Sequence, residues 1–409
     1  MKVSFCKKNI TPQKNLYLCG YIDRVEKSAG ILKPIYARIS VFGQNSKKYA
    51  VIALDILLIS RTKALEFQRK FTAQYGLSAL VISATHTHAA PALLSYSWVG
   101  EADDDFALSV EAAVDEGLKE CLGNLLSCVM SYSSLSGYDE IATNRNNIED
   151  VSSIFLNTLA FKYKNKLIGG LINYNCHPTV LSAENLLISP DFPSEVLERI
   201  EISGGVFLFT NGAAGDISTR FKRKNQTPEE AMRMGGLLGD KCIELLEEST
   251  FCEVNEISFA SRDVELSFKT LKSKAEYESL LSEYKEKLNN IDKSSAQHRL
   301  AETRLQGVRV EASLLDNKKA LETTLSISVL KLDSVIIIFA PGELFSSYQK
   351  TLQEKYKNIC LVGYSQGYPG YILDEKAYSS RSYEAFSSHL AEGSGEKLFK
   401  EIIELIDEL

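Results

Sequence analysis

No apolar run in this 409-residue chain is long enough to cross a bilayer. The two greasiest stretches, Tyr49–Ser60 (YAVIALDILLIS) and Val335–Ala340 (VIIIFA), are too short, and Asp55 interrupts the first. Both read as buried strands. Met1–Pro12 (MKVSFCKKNITP) holds no apolar core of a secretory signal. There is no excess of basic residues either. The formal net charge is -7, which removes the electrostatic reason to expect nucleic acid or an anionic membrane as a partner. No CxxC pair occurs, and the eight cysteines are widely spaced. Without an export signal, that pattern leads us to expect reduced, buried thiols in a cytoplasmic protein. Internal repeats and low-complexity tracts are not visible.

What is present is a steady alternation of strand-like and helix-like segments. Runs rich in Val, Ile and Tyr predict strands at Tyr36–Phe42, Tyr49–Leu57, Ala79–Ser83, Leu167–Asn175, Val206–Phe209, Ile257–Leu266, Thr323–Leu332, Val335–Phe339 and Ile359–Val362. Helices are predicted at Thr62–Tyr75, Asp104–Cys121, Pro193–Ile200, Thr227–Glu247, Leu344–Lys355 and Gly395–Glu408. Such a mixture predicts an α/β fold, a mixed sheet flanked by helices. Ser273 to about Asn317 differs, being highly charged and poor in glycine and proline. Tyr277, Leu280, Leu281, Tyr284 and Leu288 recur at helical spacing, and His298–Leu315 follows as a second helix. This segment predicts a helical hairpin inserted between strands of one catalytic domain spanning 1–409.

Histidine is scarce, with five in the chain. Ser83-Ala84-Thr85-His86-Thr87-His88 follows an apolar strand, and residues two apart on a strand face the same side. That pairing suits metal ligation, although two hydrogen-bonded surface histidines would look the same. Asn173-Tyr174-Asn175-Cys176-His177-Pro178 repeats the context, and His177 alone could be a satisfied core residue. Sites gather at strand ends of this kind in open α/β sheets. Glu343 follows the Val335–Ala340 run and a Pro-Gly turn, as an oxygen ligand or as a cap for the next helix. Ile359–Val362 leads into a loop dense in glycine and tyrosine, 363–371. Cys176 and His177 are neighbours in sequence and so face opposite ways on a strand, a poor arrangement for a nucleophilic dyad. Asp216 reads as a turn residue or a supporting carboxylate. Asp55 needs a buried partner, with Arg145 or a ligand histidine as candidates. His298 reads as solvated, and His389 as a possible support for the site.

Taken in order, THTHAAP, NCHPT, PGE and GYPGYILDEKAYSSRSYEAFSS resemble the catalytic domain of the neutral/alkaline non-lysosomal ceramidase family. TNRN at Thr143–Asn146 and TNGAAGDIS at Thr210–Ser218 are similar to further motifs of that family. The resemblance runs from Ile10-Thr11-Pro12 to Gly393–Lys397. One departure is Ala89-Ala90, which stands where the family has a Ser-Gly pair. The export signal and C-terminal β-sandwich of secreted members are not seen in this sequence.

The resemblance implies one Zn2+ held by two histidines, one glutamate and one tyrosine. By motif position these are His86, His177, Glu343 and Tyr371. Tyr371 is preferred to Tyr368 because it lies twelve residues before Tyr383 of the Y-E-A motif. The resemblance also places His88, Arg145 and Tyr383 around the scissile bond, with Arg145 and Tyr368 toward the substrate. The implied reaction is hydrolysis of an N-acyl amide by hydroxide formed at the zinc, with His88 passing a proton to the leaving amine. The implied partner is a small-molecule or lipid-like N-acyl substrate. An alternative is a deacylase or esterase for a small acylated metabolite or sugar, and a third reading is a binding protein that keeps the fold without the reaction.

Overall fold

Along the strand Lys47–Leu54, Val51 and Ala53 face one way and Ile52 and Leu54 the other, and all four are buried. A strand buried on both faces needs cover on both. The same holds for Val335–Phe339, whose five residues are all buried. The computed structural model describes residues 1–93, 102–292, 296–317, 323–380 and 382–409, and it shows where that cover comes from.

Three mixed sheets surround a shared core. The first orders Ala79–Ala84, Lys47–Leu54, Tyr36–Gln44, Lys2–Asn9 and Leu126–Ser127. The second orders Val206–Asn211, Lys166–Tyr174, Phe155–Tyr163, Val129–Ser136 and Cys252–Glu253. The third orders Ile257–Glu265, Thr324–Leu332, Val335–Phe339 and Ile359–Val362. One face of each sheet contributes to a central apolar cluster that includes Phe42, Val51, Leu159, Leu171, Ile337 and Val362. Each outer face packs on its own helices: Arg61–Tyr75 and Asp104–Gly123, then Pro193–Glu201 and Pro228–Glu247, then Ser346–Lys355 and Ser394–Asp407.

The three sheets share one topology. In each, an antiparallel hairpin is followed by a helix and then by a strand parallel to the hairpin's second strand. Parallel neighbours cannot be joined by a tight turn, so a crossover helix is required. The unit therefore occurs three times, although the sequence shows no repeat. What recurs is apolar alternation, which many residue choices satisfy.

The α/β reading holds, with three mixed sheets where the sequence suggested one. Three long strands escaped the sequence reading, besides several of two residues: Lys2–Asn9, Val129–Ser136 and Phe155–Tyr163. Their lysines, serines and Asn157 hide the apolar pattern. The helix expected from Leu344 begins at Ser346, with Phe345 before it.

The helical hairpin forms as expected, from Lys274–Asn289 and Ala296–Asn317, while 293–295 lie outside the described residues. Ser273 and Glu276 make a reciprocal capping box at its start. A buried ion pair fastens it down: Lys269 Nζ lies 2.6 Å from Glu311 Oε1 and donates to the carbonyls of Ala385 and Phe386. All eight cysteines are free and seven are buried. Among the described residues, no helix is long and apolar enough to cross a membrane.

Candidate metal centre

The C-terminal ends of strands from all three sheets meet at one place. His86 follows Ala79–Ala84, His177 follows Lys166–Tyr174, Glu343 follows Val335–Phe339, and the loop from Gly363 to Tyr371 follows Ile359–Val362. Isolated bridges between Ser83 and Ser365, and between His177 and Ser218, tie these ends together. His86 itself has φ 65°, so the chain has already left the strand when it delivers the imidazole. The two histidines of the THTH motif converge by a turn and not by strand alternation.

Glu343 does not cap a helix. It forms with Leu344 a two-residue parallel ladder against Tyr371 and Ile372. The approach is close. A Cβ at Gly342 would lie 2.6 Å from the Gly370 carbonyl, and both glycines have positive φ.

Hydrogen bonds fix the histidine tautomers. His86 Nδ1 lies 2.8 Å from the Leu57 carbonyl, and His177 Nδ1 lies 2.9 Å from that of Ile217. A carbonyl can only accept, so each Nδ1 carries the proton and each Nε2 presents a lone pair. These lone pairs face other acceptors. His177 Nε2 is 2.8 Å and His86 Nε2 3.6 Å from Glu343 Oε2, and His86 Nε2 is 3.3 Å from His88 Nε2. Ring nitrogens and a carboxylate gathered this closely in a buried site are satisfied by a cation among them, a metal ion or a proton. The spacing suits zinc, whose tetrahedral ligands at about 2.0–2.1 Å stand about 3.3 Å apart. The ligating nitrogens of His86, His88 and His177 all lie within 4.8 Å of one another, a grouping that could hold a metal ion and that adds His88 to the candidates.

The electrostatics favour the same chemistry. Burial lowers His86 to about 4 and lowers His88 well below the usual imidazole range, so both are neutral at neutral pH. Burial alone would raise Glu343, but His86, His177 and the Tyr368 hydroxyl outweigh it and hold the carboxylate at about 2. Neutral imidazoles beside an ionised carboxylate make a ligand set for a divalent cation.

Tyrosines and an arginine complete the centre. Tyr368 donates its hydroxyl to Glu343 Oε1, so it sits on the carboxylate that the sequence reading gave to the metal. Tyr364 stacks on His86 with ring centroids 4.2 Å apart. Tyr371 and Tyr383 meet edge to face at 6.0 Å. Burial pushes Tyr371 well above the ordinary phenol range and Tyr383 up to about 12. Arg145 binds Glu384 Oε1 at 2.9 Å, donates to the Gly215 carbonyl and hydrogen-bonds Tyr371. Burial opposes its charge, but Glu384 and Tyr371 raise its pKa overall. It thus joins the TNRN, GAAGD and YEAF segments.

His86, His88, Glu343, Tyr368, Tyr371 and Tyr383 line a small chamber of about 70 Å³, together with Ile22, Leu57, Val310 and Leu314. Val310 and Leu314 come from the second helix of the inserted hairpin, which lies against the Tyr383 helix so closely that a Cβ at Gly307 would meet Phe386 at 3.0 Å. The sequence reading missed this wall. Its one signal was the apolar stripe of the hairpin. Gly20 was missed too: a Cβ there would sit 2.4 Å from His88 Nδ1, so only glycine leaves room for that ring.

Other expectations sort as follows. His389 is buried and lines the chamber, whereas His298 is half-exposed on the hairpin. Asp216 accepts hydrogen bonds from the Ser346 N–H and hydroxyl and from Asn144, holding the Ser346–Lys355 helix to the site. Asp55 is partnered by the Tyr36 N–H at 2.9 Å and by the Arg38 charge, and not by Arg145 or a ligand histidine. Gly363-Tyr364-Ser365-Gln366-Gly367 has the GxSxG spacing, which corrects the sequence reading that no such motif is present. Ser365 is nonetheless fully buried, its hydroxyl donates to Val362 and Gly363 carbonyls, and no helix follows directly, so it is no exposed nucleophile.

No protein-family model matches the sequence, and no curated protein matches it. Solved structures do. The fold is similar to that of neutral ceramidase from Pseudomonas aeruginosa, with a TM-score of 0.77, 18% identity, and coverage of 99% of this chain and 73% of that one. A second similar structure is a ceramidase complexed with C2, again at 0.77 and 18%, covering 100% of this chain and 75% of that one. At this identity the likeness establishes the fold.

Proposed function

We propose that this chain is a zinc-dependent amidohydrolase of the neutral ceramidase family, cleaving an N-acyl amide, with one ion held by His86, His177, Glu343 and Tyr371. The observation that carries the reading is the convergence of two tautomer-fixed Nε2 lone pairs on an ionised, buried carboxylate. Its setting in a fold similar to a neutral ceramidase supports the choice of reaction.

Zinc bound there supplies a Lewis acid that polarises the carbonyl and lowers the pKa of water from about 15.7 toward about 7. The residues around it divide the remaining work. His88 is neutral, half-buried and packed edge to face on His86, so its unprotonated ring nitrogen can take a proton and return it to the leaving amine. Tyr383, held protonated by burial, offers its hydroxyl to a developing oxyanion, an interaction worth roughly 3 kcal/mol. Arg145 acts through Tyr371, fixing that phenol from behind while Glu384 fixes the guanidinium. Leu57, Val310 and Leu314 give the acyl side an apolar lining.

The size of the chamber favours a short acyl group over a sphingolipid chain. A cavity of roughly 150 Å³ holds benzene, and this one offers about 70 Å³. An acetyl group matches that room, which points to the alternative substrate class, a small N-acylated amine or sugar.

An acyl-release assay on the zinc-loaded protein, run beside the same protein after chelation, tests the proposal. Release of carboxylate that disappears with the metal and returns on zinc addition is the expected result. Release that survives chelation undiminished overturns the metal mechanism.

A further inference from the structure

A second cavity, of about 910 Å³, shares Tyr383 with the chamber. Arg145 lines it as well, while hydrogen-bonding Tyr371 on the chamber side. The two spaces therefore meet at Tyr383 and the Arg145–Tyr371 contact, beside the metal centre. The chamber is small and apolar at its far wall. The second cavity has the volume of a site for a metabolite-sized ligand.

Its charges are not balanced in practice. Arg145, Arg220, Arg304, Lys350 and Lys376 line it, against Asp150, Asp216, Asp374 and Glu384. The carboxylates are already engaged. Asp216 takes bonds from Ser346 and Asn144, Asp374 from Ala377 N–H and Ser347, Asp150 from Ser152, and Glu384 pairs with Arg145. Of the cations, Arg145 is held by Glu384 and the Gly215 carbonyl, and Lys350 donates to the Ser152 hydroxyl, which leaves Arg304 and Lys376. Among the described residues no carboxylate lies within ion-pair reach of Arg304 or Lys376, and Lys350 is 3.9 Å from Asp150. Arg304 Nε is buried with no hydrogen-bond partner. A buried N–H of that kind costs free energy until an acceptor arrives.

We infer that this cavity receives the amine portion of the substrate and that this portion carries an anionic group, read by Arg304 and Lys376. The inference rests on the hydrolase reading for what happens next to the site, since it assigns the acyl group to the chamber and the amine to the cleft. Arg304 stands on the inserted hairpin and Lys376 on the short helix Glu375–Tyr378, and both line the cavity, so an anion bound to both would bridge the hairpin to the body of the protein. Arg304 is half-buried and Lys376 exposed, so an ion pair made by Lys376 alone would be weak and screened by salt.

The test needs no turnover. The full chain is titrated calorimetrically, at low ionic strength, with glucosamine 6-phosphate and with glucosamine, two amines that differ in one anionic group. The phosphate-bearing amine should bind about tenfold more tightly, and added salt should shrink the difference. Arg304→Ser combined with Lys376→Ser should remove most of that preference without lowering the melting temperature, and Arg304→Lys should keep it. Equal affinity, no binding of either amine, or a preference untouched by the double substitution overturns the inference. Phosphate binding without any acyl release would instead count against the hydrolase reading, and acyl release without phosphate preference would count against the anionic subsite alone.

Discussion

Glu343 and Tyr371 are register partners in a parallel ladder only two residues long, so their side chains leave the same face and enter one chamber. The ladder turns two distant loops into one rigid edge, with Gly342 and Gly370 allowing the close approach. A carboxylate and a phenol are thereby held beside the imidazoles supplied by the other two sheets.

His88 is the residue whose role the geometry leaves most open to experiment, because its Nε2 lies 3.3 Å from His86 Nε2. As a proton carrier and not a ligand, His88→Asn should keep one zinc per chain while kcat falls by about 10²–10³-fold. Metal analysis beside steady-state kinetics checks this. Loss of the zinc would move His88 into the ligand set.

Tyr383→Phe removes only a hydroxyl. Since that phenol is held near pKa 12, it is a donor at neutral pH. kcat should fall by about 10²-fold with KM nearly unchanged. An equal rise in KM with unchanged kcat would make Tyr383 a binding group instead.

The buried Lys269–Glu311 pair fixes the hairpin over the chamber, with both side chains about 95% enclosed. Lys269→Met should destabilise the fold by about 3–5 kcal/mol by stranding the carboxylate, and adding Glu311→Leu should recover most of it. Denaturant titration of the two variants measures both steps. A double variant no more stable than the single one would contradict the pairing.

Leu314 lines the chamber, on the side that the proposed reaction gives to the acyl group. Leu314→Ala should raise kcat/KM for a butanoyl amide relative to the acetyl amide by at least about tenfold, the lower end for a single methylene in an apolar pocket. A ratio that does not move would place the acyl group elsewhere.

Much of this site was legible because its parts carry rare residues at marked positions. His86 and His177 stand at the ends of apolar strands, and Glu343 follows a Pro-Gly turn. What made them converge was not legible. The threefold recurrence of the sheet unit rests on alternation such as Val51/Ile52 and Ile337/Ile338, which has no residue signature. The strands Val129–Ser136 and Phe155–Tyr163 hid behind serine and asparagine. The Asp55 partner was misjudged because the Tyr36 backbone N–H and the Arg38 charge reach it across the sheet, and neither is marked in sequence. The hairpin was read correctly as a helical insertion, yet nothing in its charge pattern revealed that Val310 and Leu314 would line the chamber.

The most direct measurement is zinc content of the purified chain against that of His86→Ala, His177→Ala, Glu343→Gln and Tyr371→Phe, each checked for an intact melt. One zinc per wild-type chain, with markedly weaker retention in all four variants, is the predicted outcome. Full zinc occupancy in the His86→Ala and His177→Ala proteins, or a wild type that binds none, would contradict it.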